Sequence, residues 1–269
     1  MSVYAEILQH RELFANLFRR DFRVKYKGSF LGVLWSLVNP LVLVGIYTLV
    51  FSVLFPVSRI HHFPLYLLSG LSVWVFLSGA LATSTRSLVD NANLIKKVRF
   101  PRQLTAFSTV AAHLVALVAI LVILIPVNLM VIPETRDTIW LTIPLMIPIV
   151  ALVAGLSLVV AAGNVLFRDV EHIVAALLLP WFFLTPIMYS FEAGGFLKGS
   201  LEEHHHTLIQ FLHYGNPITP PIETIHAVLF WGQLPHWGDV VYTLGAAVIA
   251  LALGAWVFRR VDDRIAVEL

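Results

Sequence analysis

The chain contains no cysteine, so disulfides and thiolate metal sites are excluded and the redox compartment cannot be read from it. Charge is scarce. Only 13% of the 269 residues are Asp, Glu, Lys or Arg, about half the share usual in a soluble domain. Catalytic patterns are missing too: there is no H-E-x-x-H, no G-x-S-x-G and no carboxylate cluster within the apolar stretches. A G-x-x-x-x-G-K-[ST] phosphate loop is also absent. The chain therefore lacks the usual means of binding ATP, and energy for any transport must come from a partner. Buried ionisable groups mark ion paths and proton relays, yet the apolar stretches hold essentially His113 alone, with Asn39, Asn128 and Asn164 as polar amides. That weighs against proton-coupled transport. The N-terminal region is charged and amphipathic, without the apolar core and small-residue cleavage site of a signal peptide.

What is abundant is apolar surface. Hydrophobic residues make up 58% of the chain, more than one soluble core of this size could bury but well suited to a bilayer. Crossing about 30 Å of hydrocarbon takes about 20 apolar residues in a helix. Six stretches free of Asp, Glu, Lys and Arg fit that need: 28–58, 60–85, 103–133, 138–167, 172–191 and 240–258. The expectation is an all-α integral membrane fold of six transmembrane helices. Two further uncharged stretches, 207–222 and 224–238, are too short to cross comfortably and hold Pro217, Pro220, Pro221 and Pro235. They are expected to form short re-entrant or interfacial helices (207–235) before the last span, covered by protein or water where the backbone breaks.

A pI near 9.0 with a net charge of only +2 gives no basis for a nucleic-acid partner. The placement of charge says more. Fifteen of the 18 Lys and Arg fall on one side of the expected spans, and only Arg59, Arg136 and Lys198 on the other. Basic residues favour cytoplasmic loops, which puts both termini in the cytoplasm and the chain in the cytoplasmic (inner) membrane. Residues 1–30 are then a cytoplasmic amphipathic interface helix, 31–258 a six-span domain with a cytoplasmic loop at 86–102, and 259–269 a cytoplasmic tail. The run His204–His206 reads as a solvated loop, because consecutive side chains do not converge easily on one ion. No metal or cofactor is expected.

Three segments carry candidate functional residues. In 4–26, Tyr4, Ile7, Leu8, Phe14, Phe18, Phe22 and Tyr26 recur at helical spacing, which gathers them on one face. Arg19, Arg20, Arg23 and Lys27 lie on a neighbouring face, suited to anionic lipid headgroups; a plain cap packed on the bundle is the alternative. The loop RSLVDNANLIKKVRFPR (86–102) has a short helical pattern over Asp90–Val98. It could dock into a partner's groove through Leu94 and Ile95, or its basic residues could merely set topology. Finally, Trp35, Tyr47, Phe51, Trp74, Phe76, Trp181, Phe182 and Phe183 bring aromatic faces into the spans. Such faces stack on sugar rings, although Trp and Tyr also mark membrane interfaces.

These pieces together carry a resemblance. RRDFRVKYKGSFLGVLWSLVNPLVLVGIYTLVF (19–51) closely resembles the start of the permease subunits of type-2 ABC exporters, in the branch that moves polysaccharides and teichoic acids. KKVRFPRQL (96–104), FRDVEHIVAALLLPWFFLTPIMYS (167–190) and GNPITPPIETIHAVLFWG (215–232) are similar to later family segments, in the family's order. Residues 208–222 depart from the pattern in carrying fewer charges than is usual there. The resemblance implies a homodimer with the channel between copies, two copies of a separate ATP-binding subunit holding ATP and Mg, and a lipid-linked glycan as substrate. It also implies no catalysis by this chain itself. ATPase movement would be received by Phe14, Phe18, Arg19, Arg20, Phe22 and Arg23 of the interface helix, and by Asp90, Asn93, Leu94, Lys96, Lys97 and Arg99 of the loop. Trp35, Tyr47, Phe51, Trp181, Phe182 and Phe183 would line the channel. The implied cargo is O-antigen, capsule or galactan type, with teichoic acid as the near alternative. A permease for drugs or small lipids, and a membrane-embedded transferase, are more distant readings.

Overall fold

The structure, a computed structural model, describes residues 10–28, 32–54, 60–97, 100–190 and 206–268. Every regular element among them is helical. In chain order these are α1 (Arg11–Tyr26), α2 (Trp35–Thr48), α3 (Phe63–Arg86), α4 (Ala92–Lys97), α5 (Gln103–Val131), α6 (Thr142–Leu166), α7 (Asp169–Leu184), α8 (His206–Gly215), α9 (Thr219–His226) and α10 (Trp237–Glu268). Four helices are long and apolar enough to cross a membrane: Phe63–Arg86, Gln103–Val131, Ile139–Leu166 and Trp237–Asp262. They coincide with four of the six expected stretches. The other two are shorter. α2 runs on only through a π-helical segment, Leu49–Leu54, and α7 has 16 residues, about 24 Å of helix. Pro186 explains where α7 stops. The residue before a proline is pushed out of the helical region, and Thr185 is extended at φ −98°, ψ 134°.

α3 is the central helix, with Tyr66, Leu67, Leu71, Phe76, Leu77 and Ala80 all buried. α5 and α10 instead leave apolar faces open, at Val118, Val122 and Met130 and at Val248, Ile249 and Trp256. Lipid tails solvate such faces at no cost, so burial cannot drive helix association there and close packing must. The crossing of α6 and α10 shows this packing. A Cβ placed on Gly155 would run into the backbone of Ala250, and one on Gly254 would lie 2.7 Å from the Gly155 carbonyl oxygen.

At one end of the bundle, called here the hairpin end, α8 and α9 are followed by a π-helical turn, Ala227–Trp231. Its Val228, Leu229 and Phe230 are buried, as are Ile222 and Ile225 of α9. Irregular backbone away from water needs partners. Asn128 Nδ2 donates to the Leu229 carbonyl at 2.5 Å and Thr138 Oγ1 to the Val228 carbonyl at 2.9 Å. The chain leaves the turn through Gly232 at φ +63°, so close to the Glu134 backbone that a side chain would collide with it. The opposite end carries α1, α4 and the last turns of α10, and is called the loop end. Tyr4, Ile7, Leu8, Arg59, Val98, Arg99, Lys198, His204 and His205 lie outside the described residues.

Candidate functional site

At the loop end, α1 is clipped to the rest of the bundle by side chains. Arg20 donates to Asn91 Oδ1 at 2.5 Å and to Asp21 Oδ1 at 2.7 Å. Asp21 also accepts from Ser108 Oγ of α5 at 2.5 Å, and Asn91 Nδ2 donates to the Ser87 carbonyl at 2.6 Å. One network thus joins α1, the 87–91 turn and α5. Around it, Arg86 reaches Glu171 at 3.1 Å and Asp90 at 3.6 Å. Arg102 holds both the main-chain carbonyl and the carboxylate of Asp262 on α10. The N-terminus of α7 is tied in through its Glu171 N–H, which donates to Asn164 Oδ1 at 3.0 Å.

Within this frame α4 is anchored by Ile95, which is buried. Asp90, Asn93, Lys96 and Lys97 are exposed and Leu94 is half-buried. Leu94 and Ile95 therefore do not act as a pair, since Ile95 faces the bundle. On α1, Arg19 and Arg23 are exposed and Phe18 and Phe22 lie 6.0 Å apart. Phe14 packs against the buried cluster of Leu88, Ile95, Phe107, Leu158 and Phe258. The most enclosed residue of α1 is Leu17, three positions after Phe14. The inward stripe is thus Phe14, Leu17 and Asp21, a pattern that a search for aromatics alone passes over.

Beside this network lies a cleft between α1 and α2 on one side and α3 and α5 on the other. It consists of two adjoining cavities of about 590 and 490 Å³ that share Lys25 and His113. Trp35, Asn39 and Trp74 line the first, and Arg20, Asp21 and Asp90 the second. Lys25 Nζ lies 3.1 Å from His113 Nδ1, and His113 Nε2 lies 3.1 Å from Thr83 Oγ1. Thr83 in turn donates to the Gly79 carbonyl at 2.8 Å. An ammonium can only donate, so the chain of contacts assigns each proton. Nδ1 accepts from Lys25, Nε2–H donates to Thr83, and the imidazole is neutral. Partial enclosure pulls the Lys25 ammonium down to a pKa of about 8 from 10.5. Gly79 makes the arrangement possible, because a Cβ there would lie 2.5 Å from His113 Nδ1.

The aromatic candidates separate into two places. Tyr47 stacks on Phe182 at 5.8 Å and lies 6.3 Å from Phe51. Phe182 lies 5.3 Å from Phe183 and 5.5 Å from Trp74, which meets Trp181 edge-on at 6.1 Å. Five of the six expected channel residues therefore form one cluster with Trp74, spanning α2 and its π-helical extension, α3 and α7. Trp35 stands apart, at the cleft. Phe182 is buried while Phe183 is half-exposed. Trp181 Nε1 donates to Asn216 Oδ1 at 2.8 Å, and Asn216 Nδ2 donates to Thr185 Oγ1 at 2.9 Å. Asn216 thereby fixes the hairpin to the end of α7. Among the described residues no group of His, Asp and Glu is placed to hold a metal ion.

The chain is 29% identical over 258 residues to an O-antigen export system permease protein, RfbA, of Myxococcus xanthus, with 94% of each chain covered. It is 28% identical over 261 residues to a protein of the same description from Klebsiella pneumoniae, covering 95% of this chain and 94% of the relative. A further Klebsiella pneumoniae protein so described is 32% identical over 187 residues, covering 66% of this chain and 69% of the relative. The ABC-2 type transporter family matches residues 12–230, so α1, the α4 loop, the cleft and the hairpin all lie inside the matched region. With its long apolar helices, the chain is a multi-pass membrane permease and belongs to the ABC-2 type transporter family.

Proposed function

We propose that the chain is the permease subunit of an ATP-driven exporter moving a lipid-linked polysaccharide of O-antigen, capsule or galactan type across the cytoplasmic membrane. The similarity to O-antigen export permeases over nearly the full length of both chains carries this reading. In it, α2 and α7 are the two short members of a six-span domain (31–258), and both termini are cytoplasmic. The loop end then faces the cytoplasm and the hairpin end faces out. The permease works as a homodimer with two copies of a separate ATPase subunit that binds ATP and Mg. α1 (Arg11–Tyr26) is the described part of the interface segment assigned to 1–30, with Arg19, Arg23 and Lys27 toward anionic lipid. Tyr47, Phe51, Trp181, Phe182 and Phe183 offer sugar-stacking faces toward a channel between the two copies. The spans carry no Lys or Arg to match a polyanion, which places teichoic acid behind a neutral glycan.

ATPase movement is received at α4 and α1 together. Asp90, Asn93, Lys96 and Lys97 are exposed while Ile95 anchors the helix, so a push on the polar face is passed to the bundle. The Arg20–Asn91 bond makes α1 follow. The test is co-purification of the tagged chain with its ATPase and measurement of hydrolysis in nanodiscs. A stable assembly of two permeases and two ATPases, with hydrolysis changed several-fold by Lys96→Ala or Lys97→Ala, is the expected result. A chain that purifies alone, with neither ATPase nor second copy, sinks the proposal.

A further inference from the structure

The asparagine-proline step between α8 and α9 lies against the aromatic cluster, and its hydrogen bonds close a ring. Trp181 Nε1 donates to Asn216 Oδ1 at 2.8 Å, and Asn216 Nδ2 donates to Thr185 Oγ1 at 2.9 Å. Thr185 Oγ1 in turn donates to the Trp181 carbonyl at 2.8 Å. Asn216 Oδ1 takes a second bond, from the Ile218 N–H at 3.1 Å. Indole and main-chain N–H groups can only donate, so these partners fix which way round the Asn216 amide lies. Both anchor points precede a proline, Pro186 after Thr185 and Pro217 after Asn216, which restricts the backbone that carries the ring. Trp181 feels this most. Its single donor is occupied by the hairpin, so the half-buried indole offers a face and no polar edge. Phe51, Phe182 and Phe183 have no polar side-chain atom, and Tyr47 alone brings a hydroxyl to the cluster.

We infer that Asn216 is a positioning residue for the exported glycan: it holds the Trp181 indole with its N–H turned away, so that the cluster stacks on sugar rings without selecting among them. That the stacked ligand is a glycan rests on the function proposed above; the hold of Asn216 on Trp181 does not. A site that hydrogen-bonds a particular hydroxyl rejects the analogue lacking it by large factors, whereas an apolar surface discriminates weakly. Undirected contacts also suit a chain that must slide, because no hydrogen bond has to be broken as each ring moves on. Released from Asn216, the indole loses its fixed plane and turns a donor toward the ligand. Thr185, which is fully buried, acts through Asn216 by holding the other end of its amide.

The test is fluorine NMR of the full-length chain in phosphatidylcholine nanodiscs. Its seven tryptophans are replaced by 5-fluorotryptophan, and the Trp181 resonance is assigned by its loss in Trp181→Phe. Asn216→Leu is expected to shift and broaden that resonance, whereas Asn216→Asp, which keeps an acceptor for the indole, leaves it close to wild type. Asn216→Ser serves where Asn216→Leu folds poorly, because its hydroxyl still accepts from the Ile218 N–H but is too short to reach Trp181. The ligands are cellotetraose and mannotetraose, both β-1,4-linked and differing in one hydroxyl orientation per ring. Both should move the wild-type resonance, with affinities within about twofold of each other. Asn216→Leu and Asn216→Ser should weaken both by about threefold, and Asn216→Asp should restore them. A resonance that Asn216→Leu and Asn216→Ser leave unmoved would overturn the proposal. So would a wild type that responds to neither tetraose or prefers one about tenfold, or an Asn216→Ser that melts lower yet binds both tetraoses as wild type does. Neither ATPase nor transport enters the measurement. Failed export by the wild-type assembly, with Trp181 still responding to the tetraoses, therefore counts against the exporter. Intact export, with Trp181 indifferent to Asn216, counts against the positioning role alone.

Discussion

The two ends of the bundle are held by different kinds of contact. At the hairpin end most bonds between elements are neutral and shielded, Asn128 to the Leu229 carbonyl, Thr138 to the Val228 carbonyl and Trp181 to Asn216, and the carboxylate contact of Asp239 with His213 at 2.8 Å is largely enclosed as well. At the loop end they are ionic and wet. Arg20 keeps 42% of its side-chain surface exposed and Arg86 56%. A neutral bond away from water cannot be exchanged without leaving an orphaned carbonyl, which costs most of that group's desolvation. A half-exposed arginine can trade one partner for another, or for water, at little cost. The hairpin end is thus built to keep one shape, and the loop end to be rearranged by something that binds it.

The comparison breaks most visibly at Asn128. Replacing it by Ala leaves the Leu229 carbonyl without its donor in a place water does not reach. The expected loss is about 1–2 kcal/mol of stability, read as a clear fall in melting temperature in detergent micelles. If Asn128→Ala melts with wild type, the π-helical turn has another source of satisfaction and the hairpin end is less fixed than its bonds indicate.

Much of this was legible in the sequence, for identifiable reasons. Long charge-free runs specify spanning helices because length and apolarity alone decide them, and residues 103–133 became a helix at Gln103–Val131. Prolines announced the broken backbone within 207–235, and the short helical pattern over Asp90–Val98 announced the helix at Ala92–Lys97. Partnerships across the fold were not legible. Arg20 with Asn91 are 71 positions apart and Lys25 with His113 are 88, and no local pattern links them. Leu17 was missed for a different reason: in a segment so rich in Phe, aromatic spacing masks the stripe that actually faces inward. The single stretch 28–58 also hid a helix of ordinary pitch that passes into π-helical geometry at Leu49, a change of winding that composition does not record.

Arg20→Ala sharpens the comparison from the other side. It removes a half-exposed ion pair and the 2.5 Å bond to Asn91. Stability should fall by no more than about 1 kcal/mol, below the Asn128→Ala effect. Function should respond in the opposite order. On the function proposed above, with α1 released from the 87–91 turn, ATP hydrolysis in the assembled transporter should continue while glycan export per ATP declines several-fold. Unchanged coupling would mean that α1 and α4 receive movement independently.

The smallest effect concerns Lys25, whose ammonium is drawn down to about 8 from 10.5 by partial enclosure. Below pH 8 the folded and the unfolded chain both carry the proton, and the enclosure penalty is constant. Between pH 8 and 10.5 only the unfolded chain still holds it, so stability rises with pH through that window. Lys25→Met has no such proton to lose. Melting curves of the two proteins should therefore converge in wild type's favour on going from pH 7.5 to 10, by less than about 1 kcal/mol because solvent still reaches the side chain. A constant difference across that range would mean the ammonium is fully solvated, making Lys25 one more adjustable surface charge of the loop end. A difference that narrows sets it apart from Arg20 and Arg86 as the one loop-end cation of the three whose position carries a solvation cost.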